Sequence, residues 1–167
     1  MVGTPKGILL DLDDTILDDS GGIVASWKSV CTEAATLHPS VAPAVLYDAL
    51  SRDRVIFWAD PDRHRTGRQA PRDANRAIIR TALYALSIDQ PGLAERLADC
   101  YLKHRQTHQT LITGALDAIA RLRARGARLA LVTNGGAEGQ RGKIERFGLA
   151  RYFDGLFIER RARLRKT

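Results

Sequence analysis

Two short apolar runs, far apart in the chain, limit the possible folds more than any other feature of this sequence. Residues 7–12 and 127–133 are rich in apolar side chains, show no helical period, and are followed by acids or by Asn-Gly-Gly. Runs of this length predict strands that are buried on both faces, as in a parallel sheet. Gly155–Ile158 is a third, weaker run of the same kind. The sequence therefore predicts a parallel sheet.

The residues between the first two runs carry mainly helical patterns. Apolar residues recur at helical spacing in four segments, which are Ile23–Leu37, 41–58, 73–86 and Leu93–His108. Residues 59–71 contain an Asp-Pro-Asp sequence and a glycine, and they predict a loop. A further helix is predicted at residues 113–125, ending before the glycine that leads into the second run.

This order predicts an α/β fold with an insertion. Residues 1–17 and 110–167 would form a Rossmann-like parallel sheet, incomplete at its C-terminal side, and residues 18–109 an all-α helical domain. No apolar run is long enough to span a membrane, and the N-terminus lacks the pattern of a signal peptide. We therefore expect a cytoplasmic protein without a membrane partner.

The net charge of +7 comes largely from the end of the chain. Five of the 26 Lys and Arg residues lie at positions 160–167, which hold no acid, so the rest is close to neutral. A basic tail attracts polyanions weakly and without sequence preference. The charge pattern therefore predicts no specific nucleic-acid partner.

Acidic side chains cluster directly after the first predicted strand, in the sequence Asp11-Leu12-Asp13-Asp14-Thr15. Ligands of open α/β sheets bind outside the carboxyl ends of the strands. Two neighbouring carboxylates tolerate ionisation best with a cation between them, and Mg²⁺ prefers oxygen ligands. Asp11 and Asp13 are thus candidate metal ligands, and the pair suits phosphoryl transfer, with one nucleophile and one acid. The alternative for a bare Asp-x-Asp is an ordinary solvated turn.

The second predicted strand ends in Thr133-Asn134-Gly135. A hydroxyl, an amide and accessible backbone N–H groups ahead of a helix can hold a phosphate. The same tripeptide also occurs as a simple turn, so it indicates a phosphate site only in combination with the acids after the first strand.

Together these motifs resemble the haloacid dehalogenase superfamily of phosphatases, with the helical insertion in the place of its cap domain. The resemblance implies that Asp11 is the nucleophile and a Mg²⁺ ligand, and that Asp13 is the general acid/base with its backbone carbonyl on the metal. Thr15 would steady the loop. Thr133, with the amides of Asn134 and Gly135, would hold the phosphoryl oxygens. The implied activity is Mg²⁺-dependent hydrolysis of a small phosphorylated metabolite, and Asp13 favours a phosphatase over a dehalogenase.

Two motifs of that superfamily are not found, namely a lysine before a proline and a later strand ending in Gly-Asp. The change to arginine-rich sequence after Glu159 is interpreted as an altered terminus or a reading-frame shift. Lys143, expected on an exposed helix face, and Lys166 are candidate substitutes for the lysine.

The first strand would then be an exposed edge through which a homodimer could form. The alternative hypothesis is a truncated, catalytically impaired remnant that only binds phosphate or self-associates. A phosphomutase, or another chemistry on the same fold, also remains open.

Overall fold

The structure is a computed structural model that describes residues 5–159, so the basic tail and Lys166 lie outside the described residues. The chain divides into two compact units. The first combines the residues through Ser20 with those from Thr110 onward, and the second is formed by residues 21–109.

Seven α-helices and five strands are found in the described part of the chain. In chain order they are β1 (Gly7–Leu10), β2 (Leu17–Asp18), α1 (Ile23–Leu37), α2 (Pro43–Ala59), α3 (Pro61–Gln69), α4 (Pro71–Ala85), α5 (Leu93–His108), β3 (Thr110–Leu111), α6 (Ala115–Ala124), β4 (Arg128–Thr133), α7 (Ala137–Arg146) and β5 (Gly155–Ile158), with a 3₁₀ turn at Leu149–Tyr152 before β5. The first unit is therefore mixed α/β and the second is all helical.

The main sheet of the α/β unit confirms the predicted fold class. Its order is β1-β4-β5 and both pairings are parallel. Leu10 lies opposite Leu131, and Thr133 lies opposite Ile158. Since the strands are parallel, their carboxyl ends share one edge of the sheet. β1 pairs on one side only among the described strands, so it is an edge strand, as the sequence predicts.

One face of this sheet is packed into a core. Leu129 and Leu131 of β4 are almost completely buried. They belong to an apolar cluster with Leu12, Ile144 and Leu149, which come from the turn after β1, from α7 and from the 3₁₀ turn. Deleting such a side chain typically costs roughly 2–5 kcal/mol of folding free energy. The core therefore fixes α7 beneath the carboxyl ends of the strands.

The opposite face of the sheet is apolar and open. Leu9 is 71% exposed and Phe157 is 60% exposed, and Val132 lies between them on the same face because paired residues of a parallel sheet point to the same side. Parallel sheets are usually covered on both faces. This unit therefore presents an apolar surface to solvent within the described residues.

The helical unit has its own core. Apolar side chains of α1, α2, α4 and α5 form one cluster in which Trp27 packs on Tyr101 with ring centroids 4.3 Å apart. The predicted bounds of α1 and α5 are confirmed, and those of α2 and α4 differ by one or two residues. No helix in the described range of 5–159 is both long and apolar enough to cross a membrane.

The loop predicted at residues 59–71 is wrong, because α3 occupies most of this segment. Asp60 caps the helix by accepting hydrogen bonds from the backbone N–H groups of Asp62 and Arg63, and Pro61 occupies the first turn. Gly67 lies against the ring of Trp58, where a Cβ atom would come within 3.0 Å of ring carbons. The glycine thus serves helix packing rather than a turn.

Protonation of His104 should make the free energy of unfolding depend on pH. Its Nδ1 lies 3.1 Å from the Ser26 hydroxyl, and its ring stacks on His108 at 4.1 Å. Burial and, secondarily, the neighbouring His108 lower the pKa of His104 below its usual 6.5. The unfolded chain therefore takes up a proton first as the pH falls, and folded stability decreases below about pH 6.5.

We expect His104→Gln to lose less stability than the parent between pH 7.5 and pH 5.5, because glutamine does not titrate and can still hydrogen bond to Ser26. Urea unfolding midpoints at the two pH values measure this difference. Equal losses in both proteins would contradict the assignment to His104.

The open sheet face should bind hydrophobic dyes. We expect the double variant Leu9→Gln/Phe157→Gln to bind less anilinonaphthalene sulfonate than the parent while changing the unfolding free energy by only about 0.5 kcal/mol, as is usual for exposed positions. Tyr84→Gln, at an exposed position of the helical unit, is the matched control. Unchanged dye fluorescence in the double variant would contradict exposure of this face.

Candidate active site

A closed turn follows β1 and carries the acidic cluster. The backbone N–H groups of Ile16 and Leu17 donate to the Leu12 carbonyl at 2.9 and 3.0 Å, and the Asp14 N–H donates to the Leu17 carbonyl at 2.7 Å. Leu12, Ile16 and Leu17 are all buried. Three apolar anchors thus hold a polar turn in place. β1 ends at Leu10, so Asp11 and Asp13 both lie in the segment after the strand and not within it.

Asp14 closes the turn on its far side. Its Oδ1 accepts hydrogen bonds from the backbone N–H groups of Asp19 at 3.0 Å and Ser20 at 2.8 Å. Its φ angle of 56° lies in the left-handed region, which Asp tolerates better than most residues. Asp14 is therefore a structural acid that stabilises the turn.

Asp11 lies at the carboxyl edge of the sheet. A cleft of about 950 Å³ lies there, and most of its lining is apolar, including Leu9, Val132 and Phe157 of the open sheet face. Its polar lining residues are Asp11, Thr133, Asn134 and Glu159. Asp11 and Asn134 are exposed, whereas Thr133 is buried. The parallel pairing thus brings Asp11 and the Thr-Asn-Gly motif together, although they are far apart in the sequence.

The hydroxyl of Thr133 is buried, and Thr133 Oγ1 has no hydrogen-bond partner among the described residues. An unpaired buried hydroxyl costs roughly 1–3 kcal/mol. Since side chains alternate along a strand, this hydroxyl lies on the face of Leu129 and Leu131 and not on the open face of the sheet. The oxygen-binding role of Thr133 therefore stays a prediction.

Gly135 brings the backbone after β4 close to α7. Its φ angle is 144°, and a Cβ atom at this position would lie 2.6 Å from Gln140 Nε2. The same Nε2 donates to the Asn134 carbonyl at 3.3 Å. A glycine is therefore required here both for the backbone conformation and for space.

The carboxylate of Asp13 is directed toward α7. Its Oδ2 accepts a hydrogen bond from Gln140 Nε2 at 2.9 Å, and its Oδ1 accepts one from Lys143 Nζ at 2.7 Å. Lys143 Nζ also donates to Asp19 Oδ1 at 2.9 Å. Thr15 lies in the turn between these acids and is exposed.

The expected exposed position of Lys143 is wrong. Its side chain is only 17% exposed, because the helix register turns it toward the acidic turn, where two carboxylates attract it. Gln140 was not predicted. It precedes Lys143 by three residues, so both lie on one face of α7. This spacing identifies Gln140 and Lys143 as neighbours of the turn once α7 is known to pack beneath the edge of the sheet.

The Asp11 carboxylate is an oxygen donor of the kind that Mg²⁺ accepts. No group of three or more His, Cys, Asp or Glu side chains arranged to hold a metal is found in residues 5–159. Mg²⁺ in phosphate-binding sites is often held by one or two carboxylates together with water and phosphate oxygens. The Asp11 carboxylate and the Asp13 carbonyl are donors of that type.

A family model described as haloacid dehalogenase-like hydrolase matches residues 5–164. A phosphoserine phosphatase from Thermus thermophilus is 29% identical in an alignment that covers 92% of this chain and 67% of the relative.

Solved structures share the fold. A haloacid dehalogenase-type hydrolase from Bacillus subtilis, bound to magnesium, superposes with a TM-score of 0.60 at 21% identity, covering 92% of this chain and 63% of the other. A 2-haloacid dehalogenase from Pseudomonas syringae gives a TM-score of 0.54 at 24% identity with the same coverages. The chain thus spans about two thirds of the length of these relatives.

Two glycines close to each other in the sequence offer a matched test of the geometry after β4. We expect Gly135→Ala to destabilise the protein by roughly 1–3 kcal/mol, because the new Cβ meets Gln140 and the backbone conformation is unfavourable for alanine. We expect Gly139→Ala, where a Cβ atom meets nothing within 4 Å inside α7, to be neutral or stabilising by up to about 1 kcal/mol. Thermal unfolding measures both, and equal effects would contradict the close approach at Gly135.

Proposed function

The chain belongs to the haloacid dehalogenase-like hydrolase family, and from this premise we propose that it hydrolyses small phosphate monoesters through an aspartyl-phosphate on Asp11. One observation carries the proposal. Asp11, Thr133 and Asn134 line one cleft at the carboxyl ends of two paired strands, and the Thr133 hydroxyl has no hydrogen-bond partner within residues 5–159. A phosphoryl group bound there would present phosphorus to a carboxylate and an oxygen to a hydroxyl donor.

In the first step, an Asp11 carboxylate oxygen attacks phosphorus and forms an O–P bond, while the bond from phosphorus to the ester oxygen breaks. Asp13 must be protonated for this step, and it gives that proton to the departing oxygen, which leaves as an alcohol. In the second step, Asp13 takes a proton from water as that water attacks phosphorus. Inorganic phosphate then leaves, and the Asp11 carboxylate is restored.

The remaining site residues stabilise charge on the phosphoryl oxygens. The Thr133 hydroxyl donates to one oxygen, and the backbone N–H groups of Asn134 and Gly135 lie in the same segment ahead of α7. Donors that are fixed before the reaction are effective because they need no rearrangement as charge develops. Thr15, in the turn after β1, steadies the loop that carries the two acids.

Mg²⁺ would be held by the Asp11 carboxylate and the Asp13 backbone carbonyl. When bound, it would neutralise charge between the nucleophile and the phosphoryl group. The magnesium bound by the Bacillus subtilis structure supports this choice of cation. The Asp13 side chain does not compete for the metal, because both of its oxygens already accept hydrogen bonds from α7.

The substrate class is a small phosphorylated metabolite. The phosphoserine phosphatase relative supports this class. The solved neighbours also include a dehalogenase, but departure of a halide requires no acid. An Asp13 carboxylate held next to the nucleophile segment therefore favours phosphate ester hydrolysis. Phosphoserine and phosphoglycolate are the first compounds to screen, since a neighbour from Haemophilus somnus with a TM-score of 0.54 is named a predicted phosphoglycolate phosphatase.

Hydrolysis of p-nitrophenyl phosphate tests the proposal. We expect turnover that requires Mg²⁺ and is removed by EDTA. Asp11→Asn should abolish it, because the amide is not a nucleophile, and Asp13→Asn should lower kcat by about 10²- to 10⁴-fold. Asp117→Asn, at an exposed position of α6, is the matched control and should retain full activity.

No turnover by the folded parent protein at any Mg²⁺ concentration would contradict the enzymatic proposal. Phosphate binding measured by calorimetry in that sample would then favour the alternative of an impaired, phosphate-binding remnant. Equal activity of Asp11→Asn and the parent would contradict the assignment of the nucleophile.

A further inference from the structure

Lys143 connects two acids that belong to the same acidic segment. Its ammonium group lies 2.7 Å from Asp13 Oδ1 and 2.9 Å from Asp19 Oδ1, and we call these two contacts the Lys143 bridge. The three side chains are 17%, 26% and 23% exposed, in the order Lys143, Asp13 and Asp19. Ion pairs shielded to this degree are screened less by salt than surface pairs. The Lys143 bridge is therefore a stronger constraint than an exposed salt bridge.

The Lys143 bridge helps to fix the orientation of the Asp13 carboxylate. The torsion that turns a carboxylate about its Cβ–Cγ bond is broad, so a single hydrogen bond leaves it poorly defined. Here Gln140 holds one oxygen and Lys143 holds the other. Two donors on separate oxygens define both the position and the plane of the group.

The second arm of the bridge reaches the end of the α/β unit. Asp19 is followed by Ser20, after which the helical unit begins at residue 21. The backbone N–H groups of Asp19 and Ser20 are held by Asp14. Residues 13–20 therefore form a closed segment, and Lys143 ties both of its ends to α7.

Loss of the ammonium would affect both ends together. The Asp13 and Asp19 carboxylates lie within hydrogen-bonding distance of one nitrogen, so they would repel each other without the cation between them. A neutral side chain of similar length would remove one of the two donors to Asp13 and would remove the Lys143 contact from Asp19. The orientation of Asp13 and the order of residues 18–20 should therefore change together.

We propose that Lys143 is a positioning residue, which orients the Asp13 carboxylate for proton transfer by anchoring it to Asp19 at the start of the connection to the helical unit. The proposal rests on the proposed function for its catalytic part. Its structural part, the coupling of Asp13 to the connection, is independent of turnover. Lys143 would then act through Asp13 and not through contact with the phosphoryl group.

Three variants of the full chain test this role. Lys143→Met removes the charge at similar length, and Lys143→Arg restores a cation that can bridge two carboxylates. Asp19→Asn removes the charge at the far end of the bridge alone. Arg141→Met, an exposed position on the same helix, is the matched control. Circular dichroism establishes that each variant is folded before it is compared.

Two readouts are needed. The first is hydrogen exchange of the Asp19 and Ser20 backbone amides, which should rise by roughly tenfold in Lys143→Met and in Asp19→Asn and should stay unchanged in Arg141→Met. The second is the kinetics of p-nitrophenyl phosphate hydrolysis. Lys143→Met should lower kcat by about 10- to 100-fold, with KM and the inhibition constant of inorganic phosphate within about twofold of the parent. Lys143→Arg should recover most of both effects.

Unchanged amide exchange in Lys143→Met overturns the inference, whether or not the parent is active. If the parent has no activity, the proposed function fails, but the exchange measurement still decides the structural coupling. If Lys143→Met raises KM and the inhibition constant of phosphate in proportion, Lys143 binds the phosphoryl group directly and is not a positioning residue.

Discussion

Parallel pairing between β1 and β4 is the interaction on which the candidate site depends. Leu10 and Leu131 lie opposite each other, so the segments that follow the two strands leave the sheet side by side. This parallel pairing brings Asp11 and Thr133 to the same cleft without any contact between their side chains. The buried face of β4 secures the pairing, because Leu129 and Leu131 pack on the helices beneath the sheet.

The turn that carries the candidate acids is ordered both from within and by a neighbouring helix. Its backbone is fixed by the buried side chains of Leu12, Ile16 and Leu17, which act from within the segment. Its side chains are fixed by α7, through Gln140 and Lys143. This division of tasks leaves the candidate nucleophile Asp11 exposed, because it takes no part in the backbone hydrogen bonds that close the turn.

The sequence predicts elements best where one physical signal dominates. The bounds of α1 and α5 follow from apolar periodicity, and β5 follows from a short apolar run between polar residues. Helix α3 was not recognised because it has almost no apolar face, and its order comes from the Asp60 cap and from Gly67 packing on Trp58. The candidate nucleophile and the Thr-Asn-Gly motif can be predicted because each directly follows an apolar strand. The position of Lys143 cannot, because it depends on how α7 packs against the turn after β1, and the sequence does not define the shape of that turn.

The small sheet of β2 and β3 determines how the α/β unit accommodates its insertion. Leu17 pairs with Leu111 and Asp18 with Thr110, so the chain leaves and re-enters this unit at adjacent points. The entropic cost of closing a loop rises by only about 0.6 kcal/mol for each doubling of its length. A long insertion between these two points therefore costs little more entropy than a short connection would. The junction can therefore accommodate helical inserts of different length while the α/β unit keeps the same two residue pairs.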